Sequence, residues 1–530
     1  KKISRTGYTE NQVADPNTLN YKLSGAIHYK ISSKIEAIAA GYWGTGNTVY
    51  SGSQRYSLKN LKVGQYKLEL KGSNWNLRGY TTQENSGESH NLSVATTLFN
   101  EAWKPSSAWY QQYAFAFLNA KQNGRPDAEA HGIARATADV GRPAAGSTQF
   151  KTLYDQVRKI PIPQGGLFLD RTDLYMVEGQ YNFTGIKFAE VLVGGNWKKY
   201  VLNSQGTLFY KEKEPININE YGGYVQLGKE VVKDVLKLTG SIRYDKNENF
   251  EGRFTPRVTA VIKPAKDHNI RVSYQTAYRF PSTQQQFIDL NVGTGTLIGG
   301  DIELYQKYDL INNQGNAYNN GVIGEKIPYR ELKPESVVSY ELGYKTLVNK
   351  RLLIDAYGYY GTYSNFISRR DVLQVSTQKG FSVVTNVPEE VKTYGGGASI
   401  EYVLPANFVV GANFSSDKIK NVPAGFRSFF NAPDFRTVLS LSNTGFGKNK
   451  VLGFNIAYRY QTGFLYESEF IEGDVPAYHT IDVAFNVRIP KIKSMFKLGA
   501  NNLLNQYYQS AIGNPSVGGL YYVSFAFNVL

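Results

Sequence analysis

Apolar and polar residues alternate with a period of two through most of this chain. Phe454, Ile456, Tyr458 and Tyr460 interleave with Asn455, Ala457, Arg459 and Gln461, and Ile481, Val483, Phe485 and Val487 with Asp482, Ala484, Asn486 and Arg488. The same step recurs through Tyr66, Leu68 and Leu70, through Ile270, Val272 and Tyr274, through Val338, Tyr340, Leu342 and Tyr344, and at the C-terminus through Tyr521, Val523, Phe525, Phe527 and Val529. Successive side chains of a strand point to opposite faces, so each segment reads as a strand with one apolar face and one polar or small face. In a soluble sandwich the apolar face would turn inward, and tyrosine would seldom close nearly every strand. In an outer-membrane barrel that face meets lipid, and aromatic girdles mark the two interfaces.

The connections alternate between short and long. Short ones are Ser32-Ser33-Lys34, Gly72-Ser73-Asn74, Phe183-Thr184-Gly185, Lys263-Pro264-Ala265-Lys266, Val348-Asn349-Lys350-Arg351, Leu404-Pro405-Ala406-Asn407 and Gly447-Lys448-Asn449. Long ones cover roughly 86–168, 280–334, 366–392, 417–432 and 465–477, the plan of short periplasmic turns opposite long external loops. The chain is therefore expected to be all-β: a large antiparallel transmembrane barrel over 1–530 with about twenty visible strands. The strand at Tyr21 would run toward the periplasm, so residues 1–15 are expected to hold the end of an upstream strand, and the intact barrel about 22 strands.

Residues 86–168 break the alternation. Asn91–Ala102, Ser107–Gln122, Asp127–Asp139 and Thr148–Lys159 read as short helices punctuated by Pro105, Pro126 and Pro143, with Ser106 and Ser147 as candidate N-caps. The segment is expected to be a helical extracellular loop inserted in the barrel. A separate soluble domain is the alternative, although about eighty residues is small for one.

Composition narrows the choice. A soluble core seldom grows past about 300 residues, and a wall closed on itself escapes that limit at 530. Aromatic residues reach 14 %, with 40 Tyr and 28 Phe, yet mean hydropathy stays at −0.38. No run of about 18 apolar residues exists to form a transmembrane helix. The absence of cysteine excludes disulfides, thiolate metal sites and cysteine nucleophiles. The net charge of +15 comes from basic residues interleaved with acids and never massed in a block, which argues against nucleic acid. The chain opens Lys1-Lys2-Ile3, without a methionine or signal-peptide pattern, and reads as a piece of a longer precursor.

Nothing reads as a catalytic constellation. His28, His90, His131, His268 and His479 are dispersed, without metal-ligand spacing, and a barrel-borne hydrolase would need Ser, His and carboxylate together at the rim. Gly293-Thr294-Gly295 with Gly299-Gly300 lacks dinucleotide spacing and reads as flexible loop. Asp245 to Glu251 alternates oxygen ligands but lacks the glycine and final acid of a calcium loop, leaving a polar hairpin. Arg243, Arg271, Asp482 and Arg488 fall on polar faces, where they would line the lumen and either contact a plug or cargo or pair with one another. Tyr305, Tyr308, Tyr318 and Tyr329 crowd one long loop whose rings would either grip cargo or order the loop, and Arg279 stands at its entrance. No metal and no cofactor is expected.

Several stretches resemble TonB-dependent receptors, particularly those of Bacteroidetes-type bacteria with large cargo loops. Thr255-Pro256-Arg257 and His268 to Ser282, ending Ala277-Tyr278-Arg279-Phe280-Pro281-Ser282, resemble the family's strand pair before a long external loop. Leu332-Lys333-Pro334-Glu335 with Tyr340-Glu341-Leu342-Gly343-Tyr344-Lys345 resembles the strand returning from it. Gly499-Ala500-Asn501-Asn502-Leu503-Leu504-Asn505-Gln506-Tyr507-Tyr508 is similar to the penultimate-strand motif, though the chain ends on Leu530 where the family usually has Phe. The resemblance implies active uptake across the bacterial outer membrane of a siderophore, glycan, peptide or cofactor. It implies no enzymatic activity, a plug that would lie upstream of Lys1, and coupling to TonB through that region. Lipid and lipopolysaccharide would surround the wall, with a surface lipoprotein or other outer-membrane subunits as further candidate partners. The alternative is an accessory barrel in an outer-membrane assembly or secretion complex.

Overall fold

The computed structural model describes residues 3–51, 55–291, 295–319, 321–469 and 471–527. Among these residues twenty strands form one sheet. One of them, His90–Asn91, has two residues, and the other nineteen build a wall. In chain order these are β1 (Leu19–Lys30), β2 (Glu36–Ser51), β3 (Arg55–Lys71), β4 (Trp75–Asn85), β5 (Asp173–Asn182), β6 (Glu190–Leu202), β7 (Ile216–Val232), β8 (Leu236–Asn247), β9 (Phe250–Ala265) and β10 (His268–Arg279). They continue as β11 (Glu335–Val348), β12 (Leu352–Ser364), β13 (Val391–Val403), β14 (Phe408–Lys420), β15 (Arg436–Phe446), β16 (Leu452–Gln461), β17 (Tyr478–Ile489), β18 (Ser494–Asn501) and β19 (Leu520–Phe527). Each pairs antiparallel with the next, an unbroken meander.

Because side chains alternate faces, register decides which residues share a surface. Ile27 lies opposite Ala39, Ala39 opposite Leu68, Leu68 opposite Gly79, Gly79 opposite Val177 and Val177 opposite Trp197. At the other end Phe454 faces Phe485, Phe485 faces Leu498 and Leu498 faces Val523. The apolar positions thus merge into one continuous face, with Ile27 at 74 %, Leu68 at 70 % and Val523 at 65 % exposure. Such a face is stable only against hydrocarbon, where a meander leaves few backbone groups unpaired. The opposite face carries Arg78, Glu178, Asn196, Arg243, Gln275, Glu341, Asn413 and Asp482, and forms the lumen.

Every connection at one end of the wall is short, the longest spanning 183–189. At the other end stand 86–172, 203–215, 280–334, 365–390, 421–435, 462–477 and 502–519 beside two short connections, 52–54 and 248–249. β1 and β19 both run from the loop-bearing end to the short-turn end, and no ladder joins them among the described residues.

The apolar cores lie among these loops, away from the middle of the wall. One unites Val94, Ile162, Leu208, Phe209, Phe287 and Leu290, and a second unites Leu304, Tyr305, Leu310, Val372 and Phe381. Two loops also share a six-stranded sheet, ordered 289–291, 296–298, 379–386, 367–374, 316–319 and 322–326. Four helices fold the 86–172 loop: α1 (Leu92–Trp103), α2 (Ser106–Gln122), α3 (Asp127–Ala138) and α4 (Thr148–Lys159). The oxygen of Asn91 caps α1 by accepting from Val94 N at 3.0 Å, and Ser147 caps α4 by accepting from Phe150 N at 3.1 Å. Ala134 and Ala138 let α3 approach α2 closely around the fully buried Trp109.

Two expectations are corrected. Residues 3–18 hold no strand; they form an extended strap with one helical turn, Glu10–Val13. This segment packs across the helices, where Tyr8 sits 5.3 Å from Phe99 and 5.1 Å from Phe150. Burying Tyr8 and satisfying Arg5 there outweighs the weak strand pattern of the first residues. Ser106 is not an N-cap: Pro105 takes that position, while the Ser106 backbone N–H donates to Glu101 at 2.9 Å. Gly293, Thr294 and Leu530 lie outside the described residues.

Candidate functional site: the lumen and its cap

Lumenal charges are paired across and along strands. Arg243 donates to both oxygens of Asp245, at 2.6 and 2.5 Å, and to Asn196 at 2.6 Å. Gly222 permits this, since a Cβ there would lie 2.2 Å from the guanidinium and from the carboxylate. Arg271 pairs with Glu341 at 2.5 Å, and Lys198 with Glu220 at 2.5 Å. Asp482 accepts from Arg459 at 2.7 Å and from the backbone N–H of Asn502 at 2.9 Å. Asn502 in turn binds Gln506 through both ends of its amide, so the Asn-Asn-Leu motif anchors the last loop to the wall. Arg488 is exposed and forms no ion pair among the described residues. The 245–251 segment is a hairpin, and no group of three metal-ligating side chains occurs among the described residues.

Arg279 bridges Glu335 at 3.3 Å and Gln285 at 3.1 Å. Glu335, buried, also accepts from Ile367 N at 2.8 Å, so this cluster ties two wall strands to the cap sheet. Tyr305 is buried with its ring edge-on to Tyr329 at 4.8 Å, and burial raises its hydroxyl pKa. Tyr308 donates to Asp289 at 2.7 Å, where Lys307 also binds at 2.7 Å. Tyr318 stands apart, 41 % exposed on the 316–319 strand. The structure therefore brings Tyr305, Tyr308 and Tyr329 into one apolar cluster and leaves Tyr318 and Arg488 open to solvent.

Charged stitches join the loops into a single cap. Lys213 reaches Asp301 at 2.6 Å and Arg427 reaches Asp371 at 2.5 Å, while within the 365–390 loop the buried Arg369 donates to Ser382 O at 3.0 Å. Burial pulls Arg369 down to about 10, leaving it charged at neutral pH, with Glu469 and Asp371 near. Burial likewise pulls His90 down to about 4, so it stays neutral. Sequence reasoning missed a recess at the lumenal side of the cap that gathers Tyr50, Tyr56, Glu84, Phe168 and Asp170. Its members come from four separate segments, and their only local signal was the Tyr50 and Tyr56 pair flanking a hairpin.

Comparison with known proteins gives a consistent result. A family model described as TonB dependent receptor-like, beta-barrel, matches residues 5–503. The siderophore receptor PirA from Acinetobacter baumannii superposes with a TM-score of 0.63 at 12 % identity, over 96 % of this chain and 71 % of that one. The copper transporter OprC gives 0.61 at 12 % identity over 96 % and 71 %. The FrpB iron transporter from Neisseria meningitidis gives 0.60 at 11 % identity over 96 % and 72 %. No curated protein matches the sequence significantly.

Proposed function

Because the chain belongs to the TonB dependent receptor-like β-barrel family, it is an outer-membrane transport barrel, and we propose that its cargo is a metal chelate captured by the extracellular cap. The observation that supports this reading is the fusion of the long loops into one cored cap over a lumen of paired charges. A cap with its own apolar cores can present a fixed recognition surface, whereas a general diffusion pore would need an unobstructed mouth. The solved neighbours PirA, OprC and FrpB, a siderophore receptor, a copper transporter and an iron transporter, point the same way. In this reading TonB supplies the energy and the protein carries out no covalent chemistry.

The test is uptake of radiolabelled iron and copper chelates by cells with and without the protein, before and after collapse of the proton gradient. Loss of energised uptake of at least one chelate in the deletion strain supports the reading. Unchanged uptake of every chelate, with the protein recovered in a stable complex with other outer-membrane subunits, would favour the accessory role. That second role is favoured by the edges of β1 and β19, which no ladder joins among the described residues.

A further inference from the structure

We infer that the recess between the first strands of the wall and the cap is a binding site for an organic cation: a protonated amine joined to an aromatic or aliphatic body. The inference rests on the uptake reading and names a chemical feature of the cargo. The recess encloses about 400 Å³, and its lining includes Tyr50, Tyr56, Leu58 and Phe168 together with Glu84 and Asp170.

Register places it on the lumenal side. A bulge between Gly46 and Thr48 shifts the β2–β3 pairing, so that Gly46 faces Leu61 but Thr48 faces Leu58 and Tyr50 faces Tyr56. The extra residue lies on β3, so the shift turns Tyr56 and Leu58 to the same side as Leu61 and Val63, the side on which Tyr50 already lies in phase with Gly46. Glu84 lies opposite Val63, two positions along from Thr82 and on the face that carries Arg78. Gly87, at φ +62°, holds the wall end against the hairpin, since a Cβ there would lie 2.4 Å from Asn60 O and 2.5 Å from Lys59 O.

The site is built rather than incidental. The rings of Phe168 and Tyr56 meet in a T-shaped contact with their centres 5.6 Å apart. Ser86 fixes the 168–170 chain from both sides, donating to Phe168 O at 3.0 Å and accepting from Asp170 N at 2.8 Å. Asp170 has one carboxylate oxygen engaged by Thr172.

Charge selects the ligand. Several other acids of the lumenal face have cations: Glu69 has Lys67 at 2.7 Å, Glu220 has Lys198, Asp245 has Arg243 and Glu341 has Arg271. Asp170 and Glu84 have none among the described residues, although basic residues exceed acidic ones in this chain by 15. Two uncompensated carboxyls beside aromatic faces match an ammonium group, which gains ion pairing and ring-face attraction in one place. An anionic ligand would meet only repulsion there.

The test uses 4-phenylbutylammonium as probe, with 4-phenylbutanol and 4-phenylbutyrate as neutral and anionic counterparts. Binding to the full chain in nanodiscs is measured by calorimetry against empty nanodiscs. The ammonium should bind at least about tenfold more tightly than either counterpart, and Asp170→Asn and Glu84→Gln should each weaken it about tenfold. Tyr50→Ala should weaken all three ligands together. Equal binding of the three ligands, or full affinity in both carboxamide variants, overturns the inference. Retained heat-modifiable migration of the variants shows that the barrel has folded. Chelate uptake without probe binding sinks the recess alone, whereas probe binding without chelate uptake sinks the cargo reading alone.

Discussion

The guanidinium of Arg142 lies 3.8 Å from the centre of the Tyr8 ring, pinning the N-terminal strap across the helical loop. The Tyr8 hydroxyl donates to Pro143 O at 2.7 Å, and Arg5 reaches Glu101 at 3.0 Å. Removing the ring by Tyr8→Ala should cost the helical loop roughly 1–3 kcal/mol, less than a fully buried aromatic because Tyr8 is only half-buried. Hydrogen exchange should accelerate across 92–159 and remain unchanged in the wall. Equal acceleration in the wall strands would show that the strap stabilises the whole barrel instead.

Trp109 is fully buried between α2 and α3, and its indole N–H donates to Asp139 at 2.8 Å. Trp109→Ala should destabilise this pair of helices by about 3–5 kcal/mol and leave Asp139 short of a donor. Limited proteolysis should cut within 106–139 while the strands stay protected. Resistance equal to the parent protein would refute the packing described here.

Leu227 and Gln226 are neighbours on β7 that point to opposite sides of the wall, with Leu227 51 % exposed on the apolar face. Leu227→Arg should cost about 2–4 kcal/mol in a bilayer, the penalty for a cation against lipid, and Gln226→Arg should cost less than about 1 kcal/mol. Reversible urea unfolding in vesicles measures both. Similar costs at the two positions would invalidate the assignment of faces.

Burial pushes the Asp170 carboxyl up to about 6; hydrogen bonding from Thr172 works against this, while Glu84 on β4 and Glu214 from the 203–215 loop reinforce it. Because the ionised form attracts the probe, its charge is present above pH 6 and is lost as pH falls through that value. Affinity for 4-phenylbutylammonium should therefore drop between about pH 7 and 5, while the amine itself stays protonated. Asp170→Asn should flatten the profile over that window. A flat profile in the parent protein would remove Asp170 from the site.

Some of this was determined by sequence alone. Alternation such as Phe454, Ile456, Tyr458 and Tyr460 fixes a strand and its lipid face because the period of a strand is two, whatever surrounds it. Turn residues mark the short end for the same local reason, as at Asn349 and Lys350, whose φ values are positive. The four helices of the 86–172 loop were legible within a residue or so from prolines, caps and spacing. What only the tertiary structure decided rests on contacts between distant segments. The pairing of Arg243 with Asp245 and Asn196 required the register of β6 and of β8 against β7 and the space left by Gly222. The burial of Tyr305, the strap at Tyr8 and the recess at Asp170 depend on which loops meet above the wall, and Asp170 is bolted by Ser86 from across the helical insertion. A bulge of one residue on β3 turned Tyr56 to the side on which Tyr50 lies. Periodicity cannot announce such a shift, because a slip of one position reverses faces while leaving the alternating pattern intact.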